Sequence, residues 1–286
     1  MSTVLTAQAA DGTIAKALVD GAGYPIVILH PGMNSPERYT KVSDILAKHY
    51  QIIRVYRYQY RQDLKRDPLT GDPCTVEDEV NHVLAITREL KKPALLFGHS
   101  SGGTVALETL LSSPESFVAG MIYEPALVLR NDTGFCLSAD TWQSNGELGE
   151  CALKARKFLQ NSKPEKAMSL FIHYIAQFSK LKSDIAGALT AAFPAYRKVI
   201  TCQIDDLEAM EHLGYRFDAY QALKMPVSVL SGEKSIEANK AMAFALADVL
   251  PNVERTSLSR QGHNSHAQDP EQLAGTIQAF AHKVFS

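Results

Sequence analysis

The chain has no excess charge of either sign: 29 lysines and arginines stand against 31 aspartates and glutamates, a formal net charge of −2. No long-range field favours a polyanionic partner, which argues against nucleic acid or an anionic membrane surface as the ligand. Paired cysteines are also missing. Cys74, Cys136, Cys151 and Cys202 are scattered without a C-x-x-C pair, so neither a zinc site nor a disulfide framework is indicated, and no metal or other cofactor is expected. The longest apolar runs, such as "PIVIL" at 25–29, are strand-sized and far short of a membrane span. The opening "MSTVLTAQAADG" lacks the basic n-region and long apolar h-region of a signal peptide. Internal repeats and low-complexity tracts are absent. These absences predict a cytoplasmic protein acting on a small molecule, with no nucleic-acid or membrane partner and with a homodimer left open.

What remains is an ordinary globular composition, 45% hydrophobic over 286 residues, enough to bury a substantial core. The N-terminal half alternates two kinds of segment. "PIVILH" (25–30), "QIIRVYRY" (51–58), "ALLFGH" (94–99) and "GMIYE" (120–124) are short, β-rich runs of the kind buried on both faces of a parallel sheet. Between them lie helical patterns. "SPERYTKVSDILAKHY" (35–50) carries Ser35 as N-cap and Pro36 at the first helical position, and "TVEDEVNHVLAITREL" (75–90) opens on a Thr75/Asp78 capping box. The alternation predicts an α/β fold with right-handed crossovers. From about 131 to 220 the pattern turns helical, with no strand candidate, and reads as an inserted helical cap. Strand and helix then alternate again through "MPVSVLSGE", "EANKAMAFALADVL" and "VERTSLS". The last helix, "DPEQLAGTIQAFAHKVF", is capped by Asp269 and buries Leu273, Ile277, Phe280 and Val284.

The densest signal is "GHSSGG" at 98–103, which fits G-x-S-x-G between a predicted strand and a predicted helix. A turn that sharp forces its central serine into a strained conformation, and glycines two residues to either side let strand and helix approach without a Cβ clash. Framing the pattern on Ser101 would put His99 where the first glycine must be, so the spacing selects Ser100. At the start of the helix, the backbone N–H of Ser101 points at whatever oxyanion forms on an acyl group attacked by Ser100.

On these residues the chain resembles the α/β-hydrolase superfamily over nearly its whole length. The resemblance implies a mostly parallel central sheet flanked by helices, with residues 1–130 and 221–286 as the core and 131–220 as the cap. It makes "HPGMN" (30–34) the second half of an oxyanion hole, with the Met33 N–H as donor. Met33 also suits an apolar pocket wall, and His30 is then a structural organiser of the loop.

A serine hydroxyl needs a base, and the base needs an acid to fix its tautomer. "RQGHNSH" (260–266) lies where the superfamily carries its catalytic histidine after a glycine, which selects His263 over His266. The histidines at 49, 82, 173, 212 and 282 lie in helical patterns and read as solvated or packed. His99, an odd neighbour on its strand, should face the other side of the sheet. The acid is less direct, because Ser235 stands where many relatives place aspartate. Glu124, at the end of "GMIYE", and Glu233, on the loop after "MPVSVLSG", are the two carboxylates available, and Glu124 is preferred because it leaves the sheet at the same edge as Ser100.

The expected activity is hydrolysis of a carboxylic ester or lactone of a moderately apolar molecule, which Phe158, Phe171, Tyr174, Phe178 and Phe193 of the cap could wall. Two alternatives remain. A thioesterase for acyl-CoA or acyl-carrier-protein substrates could use "RVYRYQYRQDLKR" (54–66) as a landing patch for phosphate or an acidic carrier. A non-catalytic ligand-binding homologue would explain the serine at 235.

Overall fold

The computed structural model describes residues 2–61, 63, 74–131, 134–136 and 147–286. The chain opens with an antiparallel hairpin, β1 (Thr3–Gln8) and β2 (Ile14–Gly21). The inward positions of β2 are filled by Ala15 and Ala17, both fully buried. Alanine has weak strand propensity, which explains why periodicity did not mark this hairpin.

β3 (Pro25–Leu29) is followed by a 3-10 turn at Pro36–Tyr39 and α1 (Thr40–Leu46). The helix expected over 35–50 is thus split, and Ser35 makes no side-chain cap. β4 (Gln51–Val55) stops three residues earlier than expected and passes into a 3-10 turn at Tyr58–Tyr60. α2 (Val76–Arg88) carries the expected capping box, with the Asp78 N–H donating to Thr75 Oγ1 at 3.1 Å and the Thr75 N–H donating to Asp78 Oδ2 at 2.8 Å. β5 (Ala94–His99), α3 (Ser101–Ser112) and β6 (Phe117–Tyr123) complete the first half.

Between β6 and the next strand of the main sheet, the described residues form a small hairpin, β7 (Leu129–Asn131) and β8 (Gly134–Cys136), and five helices: α4 (Glu147–Gln160), α5 (Pro164–Tyr174), α6 (Lys180–Ala192), α7 (Pro194–Leu213) and α8 (Phe217–Tyr220). The hairpin corrects the expectation of helix alone from 131 onwards. Strands of three residues are too short for a period-2 pattern to register. Residues 137–146 of that expected region lie outside the described ones. The chain then returns through β9 (Val227–Gly232), α9 (Glu237–Val249), β10 (Val253–Leu258), the short α10 (Ser265–Gln268) and α11 (Pro270–Phe285). Asp269 caps α11 by accepting from the Gln272 N–H at 2.9 Å.

The main sheet has eight strands in the order β1-β2-β4-β3-β5-β6-β9-β10. β2 pairs antiparallel with both β1 and β4, and every pairing from β4 through β10 is parallel. Parallel strands covered on both faces must be apolar on both, and β3 and β5 are buried at every position. On one face Val27, Leu29 and Leu96 pack with Val80 and Val83 of α2, Leu110 of α3 and Leu246 of α9. On the other, Ile26, Ile28, Leu95 and Phe97 pack with Leu46 of α1 and with Ile277 and Phe280 of α11. Helix α7 lies against the Tyr58–Tyr60 turn, α2 and α3.

Candidate active site

Ser100 stands between the last residue of β5 and the first of α3, with φ 57° and ψ −128°. A non-glycine residue held there costs on the order of 1 kcal/mol or more and persists only where its surroundings impose it. The flanking glycines are part of that imposition. A Cβ on Gly98 would fall 2.5 Å from the Gly102 carbonyl oxygen, and one on Gly102 would fall 2.5 Å from that of His30. The turn is also pinned by hydrogen bonds, because the Ser100 N–H donates to the Tyr123 carbonyl at 2.9 Å and the Gly103 N–H donates to that of Ser100 at 2.7 Å.

Because β5 and β6 are parallel with His99 opposite Tyr123, the next residues, Ser100 and Glu124, leave neighbouring strands side by side. Glu124 is 1% exposed and carries φ 43°. Its Oε1 accepts the Gly232 N–H at 2.7 Å, and its Oε2 accepts His263 Nδ1–H at 2.6 Å. Burial pushes this carboxyl up. The His263 hydrogen bond and charge, the Gly232 N–H and the nearby Ser235 hydroxyl outweigh it and hold the group below the usual glutamate range. Glu233 is placed elsewhere: its Oε2 accepts the Arg260 N–H at 2.7 Å and so shapes the loop leading to His263.

His263 remains about one-third exposed at its side chain, with its ring edge-on to His99 at a centroid distance of 4.7 Å. His99 is fully buried on the face covered by α1 and α11, bonded through Nδ1 to the Tyr39 hydroxyl at 2.7 Å, and burial drives its pKa far down. His266 is stacked on Tyr39 and pushed down to about 4 by burial and by the charge of His263. His263 is thus the histidine bonded to a carboxylate at the strand ends. The Ser100 hydroxyl bonds to no side chain among the described residues; such serine–histidine contacts often tighten only when substrate arrives.

Three of the six non-glycine residues at positive φ among the described residues are Met33 (φ 54°), Ser100 and Glu124. Strain of this kind concentrates at working sites, and here it falls on Ser100, chosen by its motif, on Glu124, chosen by its strand-end position, and on Met33, which the family resemblance pointed to. Met33 packs its side chain beside the apolar cluster of α4, α5 and α7. His30 is buried, donates Nδ1–H to the Pro31 carbonyl at 2.8 Å, and is held neutral, its pKa lowered to about 3 by burial and by the Arg57 charge.

A model of the alpha/beta hydrolase family matches residues 26–276 of the sequence. The chain belongs to the alpha/beta hydrolase family. The hydrolase superposes on a solved alpha/beta hydrolase from Sphaerobacter thermophilus with TM-score 0.76 at 18% identity, over 99% of this chain and 100% of that one. It superposes on a thermophilic esterase from Thermogutta terrifontis, solved with malate bound, with TM-score 0.73 at 15% identity over the full length of both. At such identities the likeness is one of fold. In sequence, it is 27% identical to an uncharacterized hydrolase of Bacillus subtilis, YraK, over 111 residues, which span 38% of this chain and 40% of that protein.

Several features of the hydrolase's site had no sequence signal or were misread. Asn239, in the first turn of α9, puts Nδ2 3.3 Å from Glu124 Oε2 and 3.0 Å from His263 Nδ1. The single proton of Nδ1 goes to the nearer carboxylate, so the amide serves Glu124. Within the arginine-rich stretch at 54–66, Arg54 and Arg57 are each 1% exposed. Arg54 pairs with Asp20 at 2.7 Å and Arg57 with Glu79 and Asp206 at 2.7 and 2.8 Å, so neither guanidinium is available to a phosphate. Residues 62 and 64–66 of that stretch lie outside the described ones. Among the aromatics expected to wall a substrate, Phe158 and Phe171 pack against the cluster formed by the helices from α4 to α7, while Phe178 and Phe193 are 50% and 59% exposed. Among the described residues no helix is long and apolar enough to cross a membrane, and no cluster of His, Cys, Asp and Glu could hold a metal ion. Cys74 and Cys202 are buried.

Proposed function

We propose that the protein is a serine hydrolase that cleaves a carboxylic ester or lactone of a moderately apolar small molecule through an acyl-enzyme on Ser100. The observation that carries this reading is the 2.6 Å contact of His263 Nδ1 with the buried Glu124 carboxylate, beside a serine held at φ 57°. Ser100 Oγ attacks the acyl carbon and gives its proton to His263 Nε2; Glu124 holds Nδ1–H and stabilises the imidazolium. The carbonyl oxygen becomes an oxyanion facing the N–H groups of Ser101 and Met33. Collapse expels the alkoxide, which takes the proton from Nε2. Water then repeats the sequence with His263 as base, releasing the acid and free Ser100. Residues 131–220 form a cap over this edge, and residues 1–130 and 221–286 form the core.

No observation favours the thioesterase reading, since Arg54 and Arg57 are buried ion pairs. The serine at 235 no longer argues for a ligand-binding homologue, because a carboxylate reaches His263 from β6. The test is turnover of p-nitrophenyl esters together with labelling by a fluorophosphonate. The adduct is expected on the peptide bearing Ser100, and Ser100→Ala should abolish both; an adduct on Ser101, or undiminished turnover in Ser100→Ala, would sink the reading.

A further inference from the structure

Arg57 lies in the loop after β4 and belongs to none of the groups that touch the reacting atoms. Its guanidinium is nevertheless the hub of a buried network that joins five segments. One terminal nitrogen donates to the His30 carbonyl at 3.3 Å and to Ser101 Oγ at 2.8 Å; the other donates to Glu79 Oε1 at 2.7 Å and to Asp206 Oδ1 at 2.8 Å. Ser101 Oγ passes its own proton to Asp206 Oδ2 at 2.5 Å, and the Tyr60 hydroxyl donates to the same oxygen at 2.8 Å. Arg57, Glu79, Ser101 and Asp206 are all 5% exposed or less.

His30 leads into the Pro31-Gly32-Met33 loop and Ser101 follows the nucleophile, so one planar fork grips both segments whose N–H groups face the oxyanion. Helix α7 holds the same two segments from above. Asp206 bonds Ser101, while Gln203, one turn earlier on the same helix face, lies over the loop so closely that a Cβ on Gly32 would fall 2.2 Å from its Oε1. Burying a cation with two carboxylates is a poor way merely to join helices, since apolar side chains of similar volume hold as well or better. What the fork supplies is fixed geometry in four directions at once.

We propose that Arg57 and Asp206 are positioning residues, a buried brace that sets the two oxyanion N–H donors relative to each other and couples the inserted helix α7 to acyl transfer. This rests on the reading of Ser100 as nucleophile. A brace of this kind acts on the transition state rather than on substrate binding, which separates it from a purely structural role.

Three variants test it: Asp206→Asn, Arg57→Lys and Ser101→Ala. Asp206→Asn leaves one cation facing one carboxylate and so creates no unpaired buried charge. Ser101→Ala keeps the backbone N–H but removes both hydroxyl links. Each is assayed on p-nitrophenyl butyrate, with active sites counted by complete fluorophosphonate titration and affinity for phenylboronic acid, a tetrahedral adduct former at serine, measured in parallel. The expected result is a fall in kcat per titrated site of about 10- to 100-fold, the scale of a misplaced or lost oxyanion donor. KM should stay within about threefold and boronate affinity should fall in step with kcat, since a tetrahedral adduct tracks transition-state binding. If Arg57→Lys does not fold, the other two variants carry the test. Unchanged kcat per titrated site in Asp206→Asn and Ser101→Ala, or a kcat loss with boronate affinity intact, overturns the brace while leaving Ser100 as nucleophile. A wild-type protein that neither labels at Ser100 nor turns over ester overturns the functional reading itself, and the brace with it.

Discussion

Replacing Glu124 by glutamine tests the acid at the level of single hydrogen bonds. The wild-type carboxylate accepts three donors: the Gly232 N–H at 2.7 Å, His263 Nδ1–H at 2.6 Å and the Asn239 amide at 3.3 Å. A glutamine amide cannot accept on both sides. With its oxygen towards Gly232, its NH2 faces His263 and Asn239, and the imidazole must move its proton from Nδ1 to Nε2, where it can no longer accept one from Ser100. With its oxygen towards His263, the NH2 meets the Gly232 N–H, and two buried donors face each other at a cost of about 1–3 kcal/mol. Both orientations also lose the negative charge that stabilises the imidazolium. The corresponding change in a serine protease triad lowers kcat by about 10⁴, and a fall of about 10³ to 10⁴ is expected here with the secondary structure intact. The assay is kcat per fluorophosphonate-titrated site on p-nitrophenyl butyrate, with Glu233→Gln in parallel. Glu233→Gln should cost less than about tenfold, because its carboxylate holds the Arg260 N–H and only shapes the loop. A Glu124→Gln enzyme within threefold of wild type, or a Glu233→Gln enzyme that is the crippled one, would refute the assignment.

Other consequences can be measured on the same protein. Because the folded-state pKa of Glu124 lies below its ordinary value, the stability it contributes is present above about pH 4.3 and lost as pH falls through the folded value; the Tm gap between wild type and Glu124→Gln should therefore narrow in acid. Glu211 on α7 is pushed up to about 7 by burial and by the Glu208 charge. Its contribution is full below about pH 4.3 and lost as pH rises through about 7, so Glu211→Gln should raise Tm at pH 8 and leave it nearly unchanged at pH 4; a higher wild-type Tm at pH 8 would contradict this. Gly102→Ala, which drives a methyl to 2.5 Å from the His30 carbonyl, should destabilise by about 1–3 kcal/mol or more in urea unfolding and abolish the proposed turnover of p-nitrophenyl esters. Thr75→Ala removes the α2 capping box and should cost about 1 kcal/mol in the same experiment without changing kcat.

The sequence by itself determined what depends on neighbouring residues. The strand–serine–helix turn was legible because steric exclusion at Gly98 and Gly102 acts over four residues, the α2 and α11 caps because Thr75/Asp78 and Asp269/Gln272 bond within one helical turn, and the central strands because burial on both faces demands unbroken apolar runs. Only the tertiary structure decided which carboxylate meets His263. Glu124 and Glu233 both end a strand, and what separates them is the direction each side chain takes: Glu124 at positive φ turns towards His263, while Glu233 turns to the Arg260 N–H. It likewise decided that Arg57 is a buried hub. Nothing around "RVYRYQYR" announces the Glu79 and Asp206 carboxylates, which arrive from 22 and 149 residues away. Local sterics and hydrogen bonds are written in adjacent letters, whereas the partner of a buried charge is set by which distant segments the packed sheet and helices bring within 3 Å.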